Sequence, residues 1–312
     1  MKLGTYNMVD QSNNYLGDMP VVCNLTGYAK VRYNRELDMI YINPCSGVKP
    51  KKYEAPIAWK TDYFCNHLDD CIHEYEQLDM QTLSDYYEGT CILRYKFGDS
   101  RLCTKYTYNK KITGINNSLL TACNLKCVMC NERREGHIGE NRAYLQLLDA
   151  MINKEMNYAG LTHVGEPFLY KKESLNFVEN CKSDEVVILT NGLLLNYDDL
   201  DNLRNSMNKR KIDFSISIDG ITKEIYDSIR PNSDFEKVMN NIKYANDIGL
   251  LHHINYTVQD KNKCERNDFK RFFDDMGIKV YIMIAYDFNR DHLNTGLSKD
   301  LIKTNVDRTL RL

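Results

Sequence analysis

From residue 113 onward, short apolar runs alternate with longer segments in which apolar residues recur at helical spacing. This alternation predicts strands followed by helices, and therefore parallel β/α units joined by right-handed crossovers. Gly249 and Gly277 stand where two of these helices should end. Because six units are fewer than the eight of a closed barrel, we expect an α/β fold with an open sheet or a partial (β/α)6 TIM-like barrel. The six apolar runs are Ser118–Ala122, Gly160–Val164, Val186–Thr190, Phe214–Ile218, His253–Val258 and Val280–Ala285.

The first 112 residues differ from the rest, with weak helical and strand periods and six of the eleven cysteines. The segment Ala29–Ile42 predicts a β-hairpin that turns at Asn34–Asp38, and Leu68–Tyr87 predicts one helix. We expect three parts: a small cysteine-rich α+β accessory domain over residues 1–112, a partial barrel over residues 113–290 and a C-terminal tail over residues 291–312. The functional groups should lie at the carboxyl ends of the barrel strands.

Composition narrows the class of protein and its partners. The chain has 41 basic and 43 acidic residues, a formal net charge of -2, which gives no long-range attraction to nucleic acid or anionic membranes. No apolar stretch approaches the ~18 residues of a membrane span, and the N-terminus lacks the apolar run of a secretion signal. We therefore expect a cytoplasmic protein with no membrane partner and no nucleic-acid partner. In that reducing compartment, eleven unevenly spaced cysteines indicate metal ligands rather than disulfides.

Three cysteines follow the first predicted barrel strand in close succession: Cys123, Cys127 and Cys130. Three thiolates on one loop can hold three irons of a [4Fe–4S] cubane and leave the fourth iron open to a further ligand. An open coordination position is what a catalytic metal needs. The spacing alone also leaves a zinc site open, with a fourth ligand such as His137.

The C-x3-C-x2-C loop resembles the signature of the radical S-adenosylmethionine superfamily, and further motifs follow in the family's order. Gly165-Glu166-Pro167 resembles the family's GGEP motif, although Val164 replaces its first glycine. Thr190, Asn191 and Gly192 end the next strand, as in many members. Ser217-Ile218-Asp219-Gly220 is similar to the ribose-contacting stretch. Each motif alone is an ordinary loop sequence, and the signal is their order at the ends of successive predicted strands.

This resemblance implies a [4Fe–4S] cluster on the cysteine trio and S-adenosyl-L-methionine as the second cofactor. It implies that one electron cleaves this cofactor and that the resulting 5′-deoxyadenosyl radical abstracts a substrate hydrogen. A reductant of the flavodoxin or ferredoxin type is the implied partner. The cofactor contacts that it implies are Met129 on the adenine, Gly165, Glu166 and Pro167 around the amine, Thr190 and Asn191 beside them, Ser217 and Asp219 on the ribose, and Arg230 on the carboxylate.

The N-terminal cysteines resemble those of SPASM or twitch accessory domains, in which cysteines flanking a hairpin bind an auxiliary Fe–S cluster. The resemblance implies Cys23, Cys45, Cys91 and Cys103 as ligands of a second Fe–S cluster. Here the module precedes the barrel, whereas it usually follows it. Buried free cysteines or a zinc site are the alternatives.

Because SPASM-like modules are common in maturases, the favoured substrate is a peptide or protein. A small metabolite, such as a sugar or an amino acid, is the alternative substrate, and a non-catalytic metal-binding module is a further alternative. His163 and the adjacent pair His252-His253 are expected to be structural. Consecutive strand residues point to opposite faces, so the two histidines of the pair should point apart.

Overall fold

The computed structural model describes residues 28–34, 38–43, 48–50, 57–78, 87–89, 112–120, 122–130, 141–161 and 165–284. Within these ranges the strands are β1 Tyr28–Asn34, β2 Met39–Asn43, β3 Val48–Pro50, β4 Trp59–Lys60, β5 Tyr87–Gly89, β6 Gly114–Asn117, β7 Met156–Leu161, β8 Ser183–Thr190, β9 Lys211–Ser217, β10 Leu251–Val258 and β11 Val280–Ile284. The α-helices are α1 Thr61–Asn66, α2 Leu68–Glu76, α3 Arg142–Ile152, α4 Lys171–Asn180, α5 Tyr197–Ser206, α6 Lys223–Ile229, α7 Phe235–Asp247 and α8 Arg266–Asp274.

A single large sheet organises the molecule, in the order β11-β10-β9-β8-β7-β6-β1-β2-β4. Strands β6 to β11 are all parallel, and each pairs with the next in chain order. Helices lie between successive strands from β7 to β11. The predicted α/β fold with a six-stranded parallel sheet is therefore confirmed. Over the described residues β6 and β11 do not pair with each other, so the sheet is an open, partial barrel.

Strand β6 lies earlier than the sequence predicts. The apolar run Ser118–Ala122 was the expected strand, but pairing ends at Asn117. The side-chain oxygen of Asn117 accepts a hydrogen bond from the Leu119 backbone N–H at 3.3 Å, which turns the chain out of the ladder. Leu119 and Leu120 are still fully buried, because the loop that follows β6 passes through the core. Burial without pairing explains why the apolar run was misleading.

The N-terminal hairpin is confirmed, and it extends the barrel sheet. Strands β1 and β2 are antiparallel, with Asn34 opposite Met39. On its other side β1 pairs in parallel with β6, with Tyr28 opposite Gly114. Helix α1 contacts α3 at the surface through Asp62, which accepts a 2.8 Å hydrogen bond from Gln146. The sheet thus runs across residue 112, and the division into domains at that point stays a prediction.

The predicted helix Leu68–Tyr87 is wrong in length. Helix α2 ends at Glu76, and Tyr87 belongs to β5, which pairs with β3. The buried residues of α2 lie at helical spacing and end with Tyr75. Elsewhere helix ends agree with the sequence: Gly249 and Gly277 adopt positive φ angles of 69° and 72° directly after α7 and α8. No helix in the described part of the chain is long and apolar enough to span a bilayer.

Candidate active site

The cysteine loop, residues 122–130, lies at the carboxyl edge of the parallel sheet and is fixed at two points by backbone hydrogen bonds to other segments of the chain. The Glu166 N–H donates to the Ala122 carbonyl at 2.9 Å, and the Val128 N–H donates to the Ile229 carbonyl at 2.9 Å. On this loop the thiols of Cys127 and Cys130 are partly exposed and that of Cys123 is exposed, and all three are free. The loop after β7 and the end of α6 therefore position the three thiols.

Gly165 allows the loop after β7 to approach the cysteine loop. Its φ is +77°, and a Cβ there would lie 2.7 Å from the carbonyl oxygens of both Leu120 and Ala122. Only glycine combines a positive φ with so close an approach. The GGEP-like motif thus retains the glycine that this contact requires, although Val164 replaces the preceding one.

The Glu166 carboxylate is the buried anion at the centre of this edge, with 1% of the residue exposed. It accepts hydrogen bonds from the Thr190 hydroxyl at 2.6 Å, the Asn191 N–H at 2.8 Å and the Phe168 N–H at 3.2 Å. Burial raises the pKa of Glu166 to about 7, and the three hydrogen bonds and the charge of Arg230 oppose that rise. The carboxylate is rigidly held and poised between its two protonation states at neutral pH.

Asn191 connects the loop after β8 to the cysteine loop. Its side-chain amide donates to the Asn124 side-chain oxygen at 2.9 Å, and its own oxygen accepts from the Leu193 N–H at 3.0 Å. The same amide lies 3.9 Å from the Cys123 sulfur. Thr190 reinforces the turn by accepting from the Gly192 N–H at 3.0 Å. The Thr190-Asn191-Gly192 motif is thus brought to the cysteines and to Glu166 together.

Arg230 and Asp219 form a buried ion pair, with 2.7 Å between the arginine Nε and the carboxylate Oδ2. The other carboxylate oxygen accepts from the Thr257 N–H at 2.6 Å. Both oxygens of Asp219 thus have internal partners, which makes it a residue that orients Arg230, and its predicted ribose contact stays a prediction. Within the described part of the chain, the two terminal nitrogens of Arg230 have no hydrogen-bond partner. They are free to bind an anionic group.

The positive charge of Arg230 acts on the cysteine loop. Burial raises the pKa of Cys127, and the arginine opposes that rise. Met129 is partly exposed on the same loop. Ser217 ends β9, partly exposed, and over the described residues its hydroxyl has no hydrogen-bond partner. Pro167 begins the 3₁₀ turn Pro167–Tyr170 behind Glu166 and is buried.

Some predicted ligands lie outside the described residues. These are the four proposed auxiliary ligands, the alternative zinc ligand and one strand histidine: Cys23, Cys45, Cys91, Cys103, His137 and His163. The interpretation of His252 and His253 as pointing to opposite faces is wrong. A bulge lies between Leu251 and His253, and both rings lie beside Asp213 at the amino edge of the sheet.

Sequence reasoning missed two polar residues at the carboxyl edge. Asn124 receives the hydrogen bond from Asn191, while its own buried side-chain nitrogen has no hydrogen-bond partner among the described residues. Gln259, just after β10, is fully buried, and within the described ranges neither polar atom of its side-chain amide has a hydrogen-bond partner. A buried amide without a hydrogen-bond partner costs free energy, so both side chains can hydrogen-bond a group bound at this edge. A single Asn or Gln forms no sequence motif. These two residues could be identified only from their burial in the structure.

The donor set fits an iron–sulfur cluster with an amino-acid ligand. Three free thiols share one loop, as the ligands of a cluster with one open iron would. Beside them lie an anion suited to an amine, Glu166, and a cation suited to a carboxylate, Arg230. A structural zinc site would need neither of these. The ligand assignment itself stays a prediction.

The comparisons with known proteins define the class. The family model of the radical SAM superfamily matches residues 117–273, about half of the chain. This chain belongs to the radical SAM superfamily and is an enzyme of that class, whose members use a [4Fe–4S] cluster and S-adenosylmethionine.

Among relatives, the chain is 26% identical over 220 residues to a probable GTP 3′,8-cyclase of Methanocaldococcus jannaschii, covering 66% of this chain and 71% of the relative. It is 28% identical over 192 residues to the antilisterial bacteriocin subtilosin biosynthesis protein AlbA of Bacillus subtilis, covering 59% of this chain and 40% of AlbA. The match to the solved structure of native anSMEcpe with bound AdoMet and Cp18Cys peptide has 18% identity and a TM-score of 0.48, and covers 63% of this chain and 57% of that one.

Proposed function

We propose that this radical SAM enzyme modifies a side chain of a peptide or protein substrate. The observation that carries the radical chemistry is the linked set of carboxyl-edge loops, in which Glu166 and Arg230 flank the three thiols. The peptide substrate is supported by the similarity to AlbA, whose name places it in bacteriocin biosynthesis. The chain spans about 40% of that relative, so the substrate is carried over as a proposal.

In this proposal the thiolates of Cys123, Cys127 and Cys130 would hold the [4Fe–4S] cluster. When bound, the cluster supplies the electron that converts S-adenosylmethionine into methionine and a 5′-deoxyadenosyl radical, which takes a hydrogen atom from the substrate. The protein contributes position, charge and exclusion of water. Its fixed loops set the distance between the cluster and the cofactor groups before the substrate arrives.

Glu166 and Arg230 supply opposite charges for the two polar groups of an amino acid. The ionised Glu166 carboxylate accepts a hydrogen bond from the cofactor amine, and the terminal nitrogens of Arg230 bind the cofactor carboxylate. Asp219 keeps the arginine in place through the 2.7 Å ion pair. Ser217 offers a free hydroxyl to the ribose, and Met129 offers an apolar surface to the adenine.

A small-molecule substrate is the second candidate. The match to the probable GTP 3′,8-cyclase covers 71% of that relative, more than the match to AlbA covers of AlbA. A peptide maturase and a nucleotide cyclase would use the same cluster loop, since the substrate is selected elsewhere.

The distinguishing experiment measures 5′-deoxyadenosine formed by the anaerobically reconstituted chain with S-adenosylmethionine and dithionite. Rates are compared without substrate, with GTP, and with a precursor peptide encoded beside the gene. Stimulation by the peptide together with a mass change in it supports the proposal. Stimulation by GTP alone, with a cyclised nucleotide product, would replace it with the small-molecule alternative.

We also propose a second Fe–S cluster on Cys23, Cys45, Cys91 and Cys103, and a flavodoxin or ferredoxin as the physiological reductant. Iron counting tests the cluster, because two [4Fe–4S] clusters hold about eight irons and one holds about four. Cys45→Ala should lower the iron content by about half. Cys181→Ala is the matched control, because that buried thiol directly follows α4 and is not a proposed cluster ligand. An unchanged content of about four irons in both variants would exclude the second cluster.

A further inference from the structure

Two histidines and a carboxylate converge at the amino edge of the sheet, at the opposite end of the strands from the cysteine loop. Asp213 lies in the first half of β9, and His252 and His253 lie at the start of β10. The Nδ1 atom of His252 is 2.7 Å from Asp213 Oδ1, and that of His253 is 3.6 Å from the same oxygen. The two Nδ1 atoms are 3.2 Å apart.

A β-bulge creates this convergence. Leu251 pairs with Phe214 and His253 pairs with Ser215, so His252 is an extra residue between two consecutive pairs. In a regular strand the two rings would lie on opposite faces. The bulge turns both toward Asp213, and bulges typically re-aim side chains in this way.

The triangle formed by these three atoms has the dimensions of one face of a metal coordination sphere. Its edges are 2.7, 3.2 and 3.6 Å. The point equidistant from the three atoms lies about 1.9 Å from each, so an ion slightly out of their plane reaches the ~2.0–2.1 Å typical of zinc bonds to histidine nitrogen and carboxylate oxygen. Two imidazoles and one carboxylate are also a ligand set that binds other divalent first-row metals.

The chemistry of the surrounding groups is compatible with binding. The Lys279 ammonium is directed over the Tyr281 ring, 4.8 Å from its centroid. The side chain of His252 is 43% exposed, which gives a metal ion access from solvent.

We propose that Asp213, His252 and His253 form a binding site for a divalent transition-metal ion, with Zn²⁺ as its representative, separate from the iron–sulfur loop. Three protein ligands leave a fourth position for water, as in open zinc sites. Because β9 and β10 are joined through the metal, its binding ties the amino ends of two neighbouring barrel strands together.

The test uses the cluster-reconstituted full chain, titrated anaerobically with Zn²⁺ against a chromophoric chelator. The parent and His73→Ala, an exposed histidine on α2, should each bind one more zinc per chain than His252→Ala. In His252→Ala the affinity of that site should fall at least tenfold, and Asp213→Asn should weaken it as well. Zinc already held by cysteines is common to all four proteins and cancels in the comparison.

Thermal unfolding provides a second measurement that does not depend on zinc counting. Added Zn²⁺ should raise the Tm of the parent and of His73→Ala but not that of His252→Ala, because a ligand that binds only the folded state stabilises it. His252 is half exposed, so its removal leaves the fold intact even if His253→Ala does not fold. Equal zinc content and equal Tm shifts in the parent and His252→Ala would overturn the proposal.

Discussion

The two edges of the parallel sheet gather polar residues in different ways. At the carboxyl edge, loops from four strands are linked by hydrogen bonds that converge on Glu166, Asn191 and the Arg230–Asp219 pair. At the amino edge, one bulge in one strand brings His252 and His253 to Asp213. The first arrangement is spread over about a hundred residues of sequence and is rigid, whereas the second depends on a single inserted residue. The difference suggests that catalysis and any metal at the amino edge can be altered independently.

The largest expected effect is on catalytic activity, which should depend on the carboxyl edge of the sheet and not on the amino edge. Cys127→Ala removes one of the three proposed cluster ligands, so formation of 5′-deoxyadenosine from S-adenosylmethionine should fall to background and the iron content should drop. His252→Ala, at the other edge, should retain the parental rate. Nucleoside release is measured by chromatography after anaerobic reconstitution. Activity that survives in Cys127→Ala would break the assignment of the carboxyl edge as the catalytic one.

The next effect compares two buried aspartates. Asp219→Asn leaves the buried guanidinium of Arg230 without its ion-pair partner, which should lower the free energy of unfolding by about 3–5 kcal/mol. Asp213 is paired with histidines and not with a buried arginine, so Asp213→Asn should lower the free energy of unfolding by only about 1 kcal/mol. Denaturant unfolding of both variants measures the difference. Equal losses would mean that Asp219 has no special role in holding the arginine.

Two glycines with positive φ test the close contact between loops. Gly165→Ala should cost about 1–2 kcal/mol for its backbone conformation and about 1–3 kcal/mol more for the clash with Leu120 and Ala122. Gly249→Ala, before β10, should carry only the cost of the backbone conformation, because a Cβ at Gly249 would have no atom within 4 Å. If the unfolding free energies of Gly165→Ala and Gly249→Ala differ by less than about 0.5 kcal/mol, the cysteine loop can move away from the added Cβ at little cost.

The smallest effect is the pH dependence of cofactor binding. Burial raises the pKa of Glu166 to about 7. In the proposed binding mode only its ionised form accepts a hydrogen bond from the cofactor amine. As pH falls from 8 to 6 the ionised fraction drops from about 90% to about 10%, so the Kd for S-adenosylmethionine should rise about tenfold. Calorimetry on the cluster-loaded chain measures it. His252→Ala should keep this profile and Glu166→Gln should flatten it, whereas a flat profile in the parent would contradict the role of Glu166.

Much of the carboxyl edge was predictable because parallel β/α units place their loops at one edge in chain order. Glu166, Asn191 and Arg230 were found from short motifs at predicted strand ends, and the structure brings all three to the cysteine loop. Strand limits were less accurate. The β6 prediction was late because Leu119 and Leu120 are buried without pairing, and an apolar run reports burial rather than hydrogen bonding.

The amino edge could not be predicted from the sequence, for a physical reason. The alternation of side chains assumes a regular strand, and the bulge at His252 breaks it. No turn residue or glycine marks the insertion. Likewise, the Asp219 carboxylate accepts hydrogen bonds from Thr257 and Arg230. Nothing in the Ser217-Ile218-Asp219-Gly220 motif indicates that both of its oxygens have partners within the protein.

The parallel pairing of β1 with β6 has a consequence for how the chain assembles. The paired residues Tyr28 and Gly114 are roughly 85 positions apart, against roughly 25 for Glu185 and Lys211 of β8 and β9, so closing the longer loop costs about 1 kcal/mol more. During translation the hairpin is made first, yet it finds its sheet partner only after residue 117 has been synthesised. A lone hairpin is marginally stable. We expect it to dock late, which leaves its backbone edge open to wrong partners on the ribosome.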